Sequence, residues 1–218
     1  MKGIFTVIEG IDGSGKGTQS VLLNKYIQSR GYTTLFRHYP TYGETAVGGV
    51  ILEMLQNKAH LITSSGDLHP ARSLVLQSLF AVDRYQLDPE NRLAVKLGHH
   101  LVFDRYYHSS VVYGKCTGVD PSWLYSVNSQ LLQPDLAILL DVSPDVSVMR
   151  RPGRRDQFEV DLELLENVAF NYRIEWDSHY NVQKNYHVIN GKQDIEQIHA
   201  EITRLWEQVY SSNQKTTY

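Results

Sequence analysis

The chain has 218 residues, with 21 lysines and arginines against 24 aspartates and glutamates, nine histidines and one cysteine. Such a length suits one α/β domain with a sizeable core. The net charge of −3 argues against an extended nucleic-acid surface, and Cys116 alone excludes an internal disulfide and suits a reducing, cytoplasmic setting.

At the N-terminus, Ile4-Phe5-Thr6-Val7-Ile8 reads as a buried strand. It is too short to cross a bilayer and carries Glu9 directly after it, so neither a membrane span nor a signal peptide is expected. The strand runs into Gly10-Ile11-Asp12-Gly13-Ser14-Gly15-Lys16-Gly17-Thr18-Gln19. Gly10, Gly13, Gly15 and Gly17 let backbone N–H groups curl round an anion, and Lys16 adds a compact positive charge. Thr18 opens a helix whose dipole favours phosphate, continued at helical spacing by Val21, Leu22, Lys25 and Tyr26. Strand, glycine loop and helix in this order form the phosphate cradle of a nucleotide-handling enzyme. Gly17 stands where the usual pattern has a Ser or Thr whose hydroxyl reaches magnesium, so metal ligation from the loop itself is not expected.

A second strand is predicted at Thr33 to Phe36, and a helix between Asp67 and Arg84. In that helix Ala71, Val75, Leu79 and Val82 form one apolar face, and Leu76, Phe80 and Arg84 a neighbouring stripe. An aromatic ring with a donor-only cation one turn later suits a base that presents the O4 acceptor of thymine or uracil, although a core Phe beside a solvated Arg has the same spacing. The run His100 to Phe103 is a third strand, ending in Asp104-Arg105-Tyr106. Carboxyl ends of such strands are where open α/β sheets bind ligands. Asp104 is placed to hold magnesium through water, and Arg105 to grip a phosphate bidentately.

Leu136 to Leu140 and Tyr186 to Ile189 complete five apolar runs separated by amphipathic segments, the alternation of a doubly wound, five-stranded parallel sheet. Between them, Arg150-Arg151-Pro152-Gly153-Arg154-Arg155 is the densest basic cluster, and Pro152-Gly153 should break the helix that begins near Pro144. A basic loop there can fold over a triphosphate and exclude water. We expect one domain over residues 1–210, with a lid at about 150–158 and a polar, disordered tail over 211–218.

Taken together these segments resemble the thymidylate kinase family, P-loop nucleoside monophosphate kinases that phosphorylate dTMP to dTDP with ATP. The resemblance runs through Glu9 to Lys16, Tyr39-Pro40-Thr41-Tyr42-Gly43, Leu79 to Arg84, Asp104 to Tyr113, Pro134-Asp135-Leu136, Leu140-Asp141-Val142 and Asp156-Gln157-Phe158-Glu159. It implies magnesium with ATP as cofactor, ATP and dTMP as the partners, and a homodimer, with no nucleic acid and no membrane. It implies that Asp12 organises the loop near the transferred phosphoryl, Lys16 binds ATP phosphates and Arg105 bridges donor and acceptor. Phe80 would stack on thymine, Arg84 contact its edge, Ser109 and Ser110 lie beside the base, Tyr113 crowd the sugar 2′ position, and Tyr42 lie near the acceptor phosphate. Since neither Gly13 nor Ser14 supplies a loop arginine, Arg150, Arg154 and Arg155, with Arg151 beside them, are the lid cations.

The sequence departs from the family at Thr41, where an arginine is frequent and Arg37 or another group must bind the acceptor phosphate. It departs again at Gln157 and at Gly114. Two other readings remain open: a kinase for dUMP or several pyrimidine monophosphates, and a nucleotide-sensing or RNA-binding module without catalysis.

Overall fold

The computed structural model describes residues 2–56, 70–150, 162–180 and 185–215. Each of the five apolar runs forms a strand: β1 (Phe5–Glu9), β2 (Thr34–His38), β3 (His100–Asp104), β4 (Leu136–Asp141) and β5 (Tyr186–Asn190). They build one sheet in the order β2-β3-β1-β4-β5, with every pair parallel. Between and after them come α1 (Lys16–Ser29), α2 (Ala46–Leu55), α3 (Pro70–Lys96), α4 (Tyr107–Cys116), α5 (Pro121–Asn128), α6 (Pro144–Met149), α7 (Leu162–Tyr180) and α8 (Ile195–Lys215).

Parallel strands covered on both faces read as unbroken apolar runs, and β1 and β3 are buried along their whole length. Alternation then sorts the side chains. Ile4 and Ile8 pack with Leu23 and Ile27 of α1 and with Ile202 and Trp206 of α8, while Phe5 and Val7 meet Tyr106, Tyr107 and Val111 on the opposite face. A third cluster joins Ala137 and Leu139 of β4 to Val168, Tyr172 and Trp176 of α7. Trp206 is fully buried, and emptying such a site costs about 3–5 kcal/mol.

Register brings the strand ends level: Asp104 lies opposite Ile8 of β1 and His38 of β2. The chain order reverses around β1, which opens the crevice where a doubly wound sheet takes its ligand. Gly114 has a packing reason, since a Cβ there would fall 2.7 Å from Leu124 Cδ1 of α5.

Three expectations need correction. The first half of α3 does not bury the apolar face that its spacing suggests: Ala71 and Val82 are exposed and Val75 and Leu79 only half-buried, while Ser73, Gln77, Asp83 and Arg84 are buried. That inward stripe faces a polar crevice and a hydrogen-bonded loop instead of an oily core. Residues 211–215 are not a disordered tail, because α8 continues through Lys215. Finally, α1 starts at Lys16, two residues before Thr18. Among the described residues no helix is long and apolar enough to cross a membrane.

Candidate active site

The turn from β1 into α1 is built as a cradle. Gly13 has φ 78, and a Cβ there would meet the Ser147 carbonyl oxygen of α6 at 2.6 Å, so only glycine fits both backbone and space. Gly10 and Gly15 also lie at positive φ. Lys16 is buried at the first turn of α1, its Nζ donating to the Ile11 carbonyl and to Asp12 Oδ1, each at 3.3 Å. Burial first, then the Arg105 cation, pulls the ammonium pKa down from 10.5 to about 8, with Asp12 and Asp104 opposing. A positive charge held this way gains an anionic partner when phosphate arrives. Thr18 is exposed in the same turn, and the Ser14 hydroxyl oxygen is buried with no partner among the described residues.

Asp12 ties the loop to the end of β3. Its Oδ1 accepts from Lys16 Nζ and from Arg105 Nη2. Arg105 is the only non-glycine at positive φ among the described residues, φ 71, a backbone state that costs about 1–2 kcal/mol for an L-residue and marks a constrained site. Hydrogen bonds over-determine it. The Tyr106 N–H donates to Glu9 Oε1 at 2.7 Å, and the Ser109 hydroxyl donates to Glu9 Oε2 at 2.7 Å. Burial alone would lower the Arg105 pKa, but Tyr113, Tyr172, Asp12 and Glu9 more than offset it and hold it well above its usual value. The Tyr113 ring lies under the guanidinium, 5.6 Å from ring centre to Cζ. Tyr42, half-exposed on the loop after β2, has its hydroxyl pKa raised, by burial first, with Arg105 lowering it and Asp12 raising it.

Asp104 is buried at the end of β3. His38 Nδ1 lies 3.0 Å from its Oδ2, while Oδ1 is buried without a partner among the described residues. A Cβ at Gly17 would approach Oδ2 to 3.1 Å.

On the α3 side, Phe80 is half-buried and Arg84 is buried. Arg84 Nη1 donates to the Ser110 hydroxyl at 2.9 Å and Nη2 to the Tyr106 carbonyl at 2.9 Å. Its Nε is buried with no partner among the described residues, an orphan donor of the kind that a ligand acceptor satisfies. Burial pulls this guanidinium pKa down, opposed by Tyr106, Tyr39, Glu9 and Asp83. Ser110 thus belongs to the arginine beside Phe80. Ser109 does not join it: its hydroxyl is engaged by Glu9 and Arg105 and lies 2.9 Å from that of Tyr172.

Thr41 and Thr45 both donate to Asp83 Oδ1, and Thr45 also caps α2 by accepting from Gly48 N at 2.8 Å. Arg37 is held by Asn91, Glu44 and Glu90, so each of its three nitrogens already has a protein partner. Of the basic cluster, Arg150 caps α6 and donates to the Ser14 carbonyl at 3.4 Å. Arg151, Arg154, Arg155 and Gln157 lie outside the described residues. Cys116 is half-buried at the end of α4, its thiol pKa raised by burial.

Four contributors were given no role from the sequence. Ser147 donates to the Asp12 carbonyl and clasps the loop to α6. His38 abuts Asp104, and Glu9 and Tyr172 brace Arg105. A lone Ser or His in a loop has no periodicity to expose it, though a Glu at the end of an apolar strand is a cue to a satisfied buried charge.

The family model for thymidylate kinase matches residues 8–202. A probable thymidylate kinase of Thermococcus gammatolerans is 35% identical over 211 residues, covering 94% of this chain and 97% of that one. A probable thymidylate kinase of Pyrococcus abyssi is 35% identical over 208 residues, covering 94% and 96%. The solved thymidylate kinase of Candida albicans shares the fold at a TM-score of 0.76 and 22% identity, over 97% of this chain and 93% of that one. On these grounds the chain belongs to the thymidylate kinase family, ATP-dependent nucleoside monophosphate kinases whose reaction carries the γ-phosphoryl group of ATP to dTMP.

Proposed function

We propose that this chain makes dTDP and ADP from dTMP and ATP by dividing the work between the two sides of the crevice. The observation that carries the reading is the Asp12 carboxylate, which joins Lys16 of the phosphate loop to Arg105 of the β3 end. Gly10, Asp12, Gly13, Ser14, Gly15, Lys16, Gly17 and Thr18 hold the ATP phosphates, and Arg105 spans donor and acceptor. Phe80 stacks on the thymine, Arg84 offers its unpartnered Nε to the base, Ser110 steadies Arg84, and Tyr113 and Tyr42 bound the sugar and acceptor phosphate. The orphan Nε supports this assignment.

The acceptor oxygen is already anionic, so no general base is required. Alignment and charge neutralisation supply the rate. Arg150, already bonded to the loop at Ser14, is the lid cation best placed for that task, with Arg154 and Arg155 proposed beside it.

Magnesium fits the residues present. Asp104 offers a buried oxygen without a partner, and Gly17 leaves room for that carboxylate beside α1. Among the described residues no group of three or more His, Cys, Asp or Glu forms a protein cage, so phosphate oxygens and water complete the shell, as magnesium prefers. When bound, the ion neutralises phosphate charge.

A homodimer belongs to the same reading. So does a cytoplasmic setting. A coupled ADP-release assay across dTMP, dUMP, dCMP, dGMP and AMP tests the function. dTMP is expected to rank first, and a higher kcat/KM for another monophosphate overturns the assignment of the base site.

A further inference from the structure

Arg105 and Glu9 are both buried, yet they are joined through two hydroxyl groups. Arg105 Nη1 donates to Ser109 Oγ at 3.1 Å and to the Tyr172 hydroxyl at 3.2 Å. Both hydroxyls in turn donate to Glu9 Oε2, at 2.7 Å from Ser109 and 3.0 Å from Tyr172. Proton counting leaves no freedom in this arrangement. A guanidinium can only donate and a carboxylate can only accept, so each hydroxyl must take from Arg105 and give to Glu9. The two oxygens lie 2.9 Å apart, and with both protons committed to Glu9 neither is left to bridge them. Glu9 Oε1 is occupied separately by the Tyr106 and Ser109 N–H groups, at 2.7 Å and 3.3 Å.

We infer that Tyr172, on α7, is a positioning residue for Arg105, fixing the direction of the guanidinium through a hydroxyl relay to Glu9. The inference rests on the proposed role of Arg105 at the phosphates. The interposed hydroxyls hold one edge of the fork through neutral acceptors, which fixes its direction. They consume both Nη1 hydrogens, so the edge bearing Nη2 and Nε is turned toward the crevice, where Asp12 already accepts from Nη2. Tyr172 is 1% exposed, its ring packed with Trp176 and Tyr113. Removing the hydroxyl alone therefore leaves no large cavity.

The test is Tyr172→Phe in the full chain, measured with ATP and dTMP. We expect kcat to fall by about tenfold or more, with each KM changed by less than about threefold, because the loss is in alignment and not in binding. Arg105→Lys supplies the control that a merely structural role would not satisfy, since a lysine cannot span both hydroxyls. In that background Tyr172→Phe should change kcat by less than about twofold. If Tyr172→Phe does not fold, Ser109→Ala enters the same cycle with the same expectation. A kcat for the single variant within about twofold of the parent, or an equal fold-loss in both backgrounds, overturns the relay. A parent enzyme without activity on dTMP would instead count against the proposed function, so the two failures are distinguishable.

Discussion

Gly17 and Asp104 occupy one space: a Cβ on residue 17 would stand 3.1 Å from Asp104 Oδ2. The loop glycine that costs this chain a hydroxyl ligand is the same feature that admits the carboxylate of β3 to the first turn of α1.

Gly17→Ala should therefore separate stability from turnover. Alanine is better than glycine in a helix by up to about 1 kcal/mol, so the melting temperature is expected to hold or rise. Asp104 must shift by a few tenths of an ångström, and kcat should drop by about tenfold, with partial recovery at raised magnesium. A magnesium titration of kcat beside a thermal melt checks it. Undiminished turnover would remove Asp104 from the reaction.

Arg84→Lys keeps a cation but loses the planar fork that reaches Ser110 and the Tyr106 carbonyl while presenting Nε. The expected result is a rise of about tenfold or more in KM for dTMP and a smaller preference over dCMP, with kcat at saturation less affected. Steady-state kinetics with both monophosphates measure the ratio. A preserved ratio would show that another group reads the base.

The depressed Lys16 ammonium gives a pH signature. In the free enzyme its proton leaves near pH 8, so kcat/KM for ATP should decline above that pH. Bound triphosphate favours the charged form, so kcat should stay level to higher pH. Initial rates at saturating and limiting ATP between pH 7 and 9.5, roughly, separate the two curves. Parallel decline would exclude Lys16 as the ATP-binding cation.

Acid should weaken the fold through its buried imidazoles. His100 Nδ1 accepts from the Ile4 N–H at 3.1 Å, so the native ring is bound as the neutral form. Burial pulls its pKa below the ordinary 6.5, with His99 adding to the effect, and burial also lowers His187 and His199. The unfolded chain then binds more protons below pH 6.5 than the native one. The stability these rings contribute is thus complete above that pH and is lost as pH falls toward their native values. Urea midpoints at pH 7.5 and about 5.5 report it, and His100→Asn should flatten the difference.

Much of the fold was legible because parallel strands buried on both faces, as β1, β3 and β4 are, leave apolar runs, and the half-buried edge strands β2 and β5 still overlap such runs. The cradle was legible for a local reason: glycines, a lysine and the flanking elements are contiguous. Residues brought together by tertiary packing were not. Ser147 reaches the Asp12 carbonyl from far along the chain, and nothing near either residue signals it. Spacing also misled in α3, where Ala71 and Val82 of the apolar face are exposed, because periodicity tells which residues share a face and not what that face meets. Family resemblance put Ser109 with the base, whereas its hydroxyl bonds Glu9 and Arg105.

The early turns of α3 have a thermodynamic corollary. Between Ser73 and Arg84 the inward side chains are Ser73, Gln77, Ala81, Asp83 and Arg84, so little oily area anchors this stretch and its hold on the domain comes from directional polar bonds. Filling the crevice adds partners on that side only. Amide hydrogen exchange in this stretch should accordingly slow when monophosphate is added, and slow more than in the sheet, whose protection is already set by its own packing.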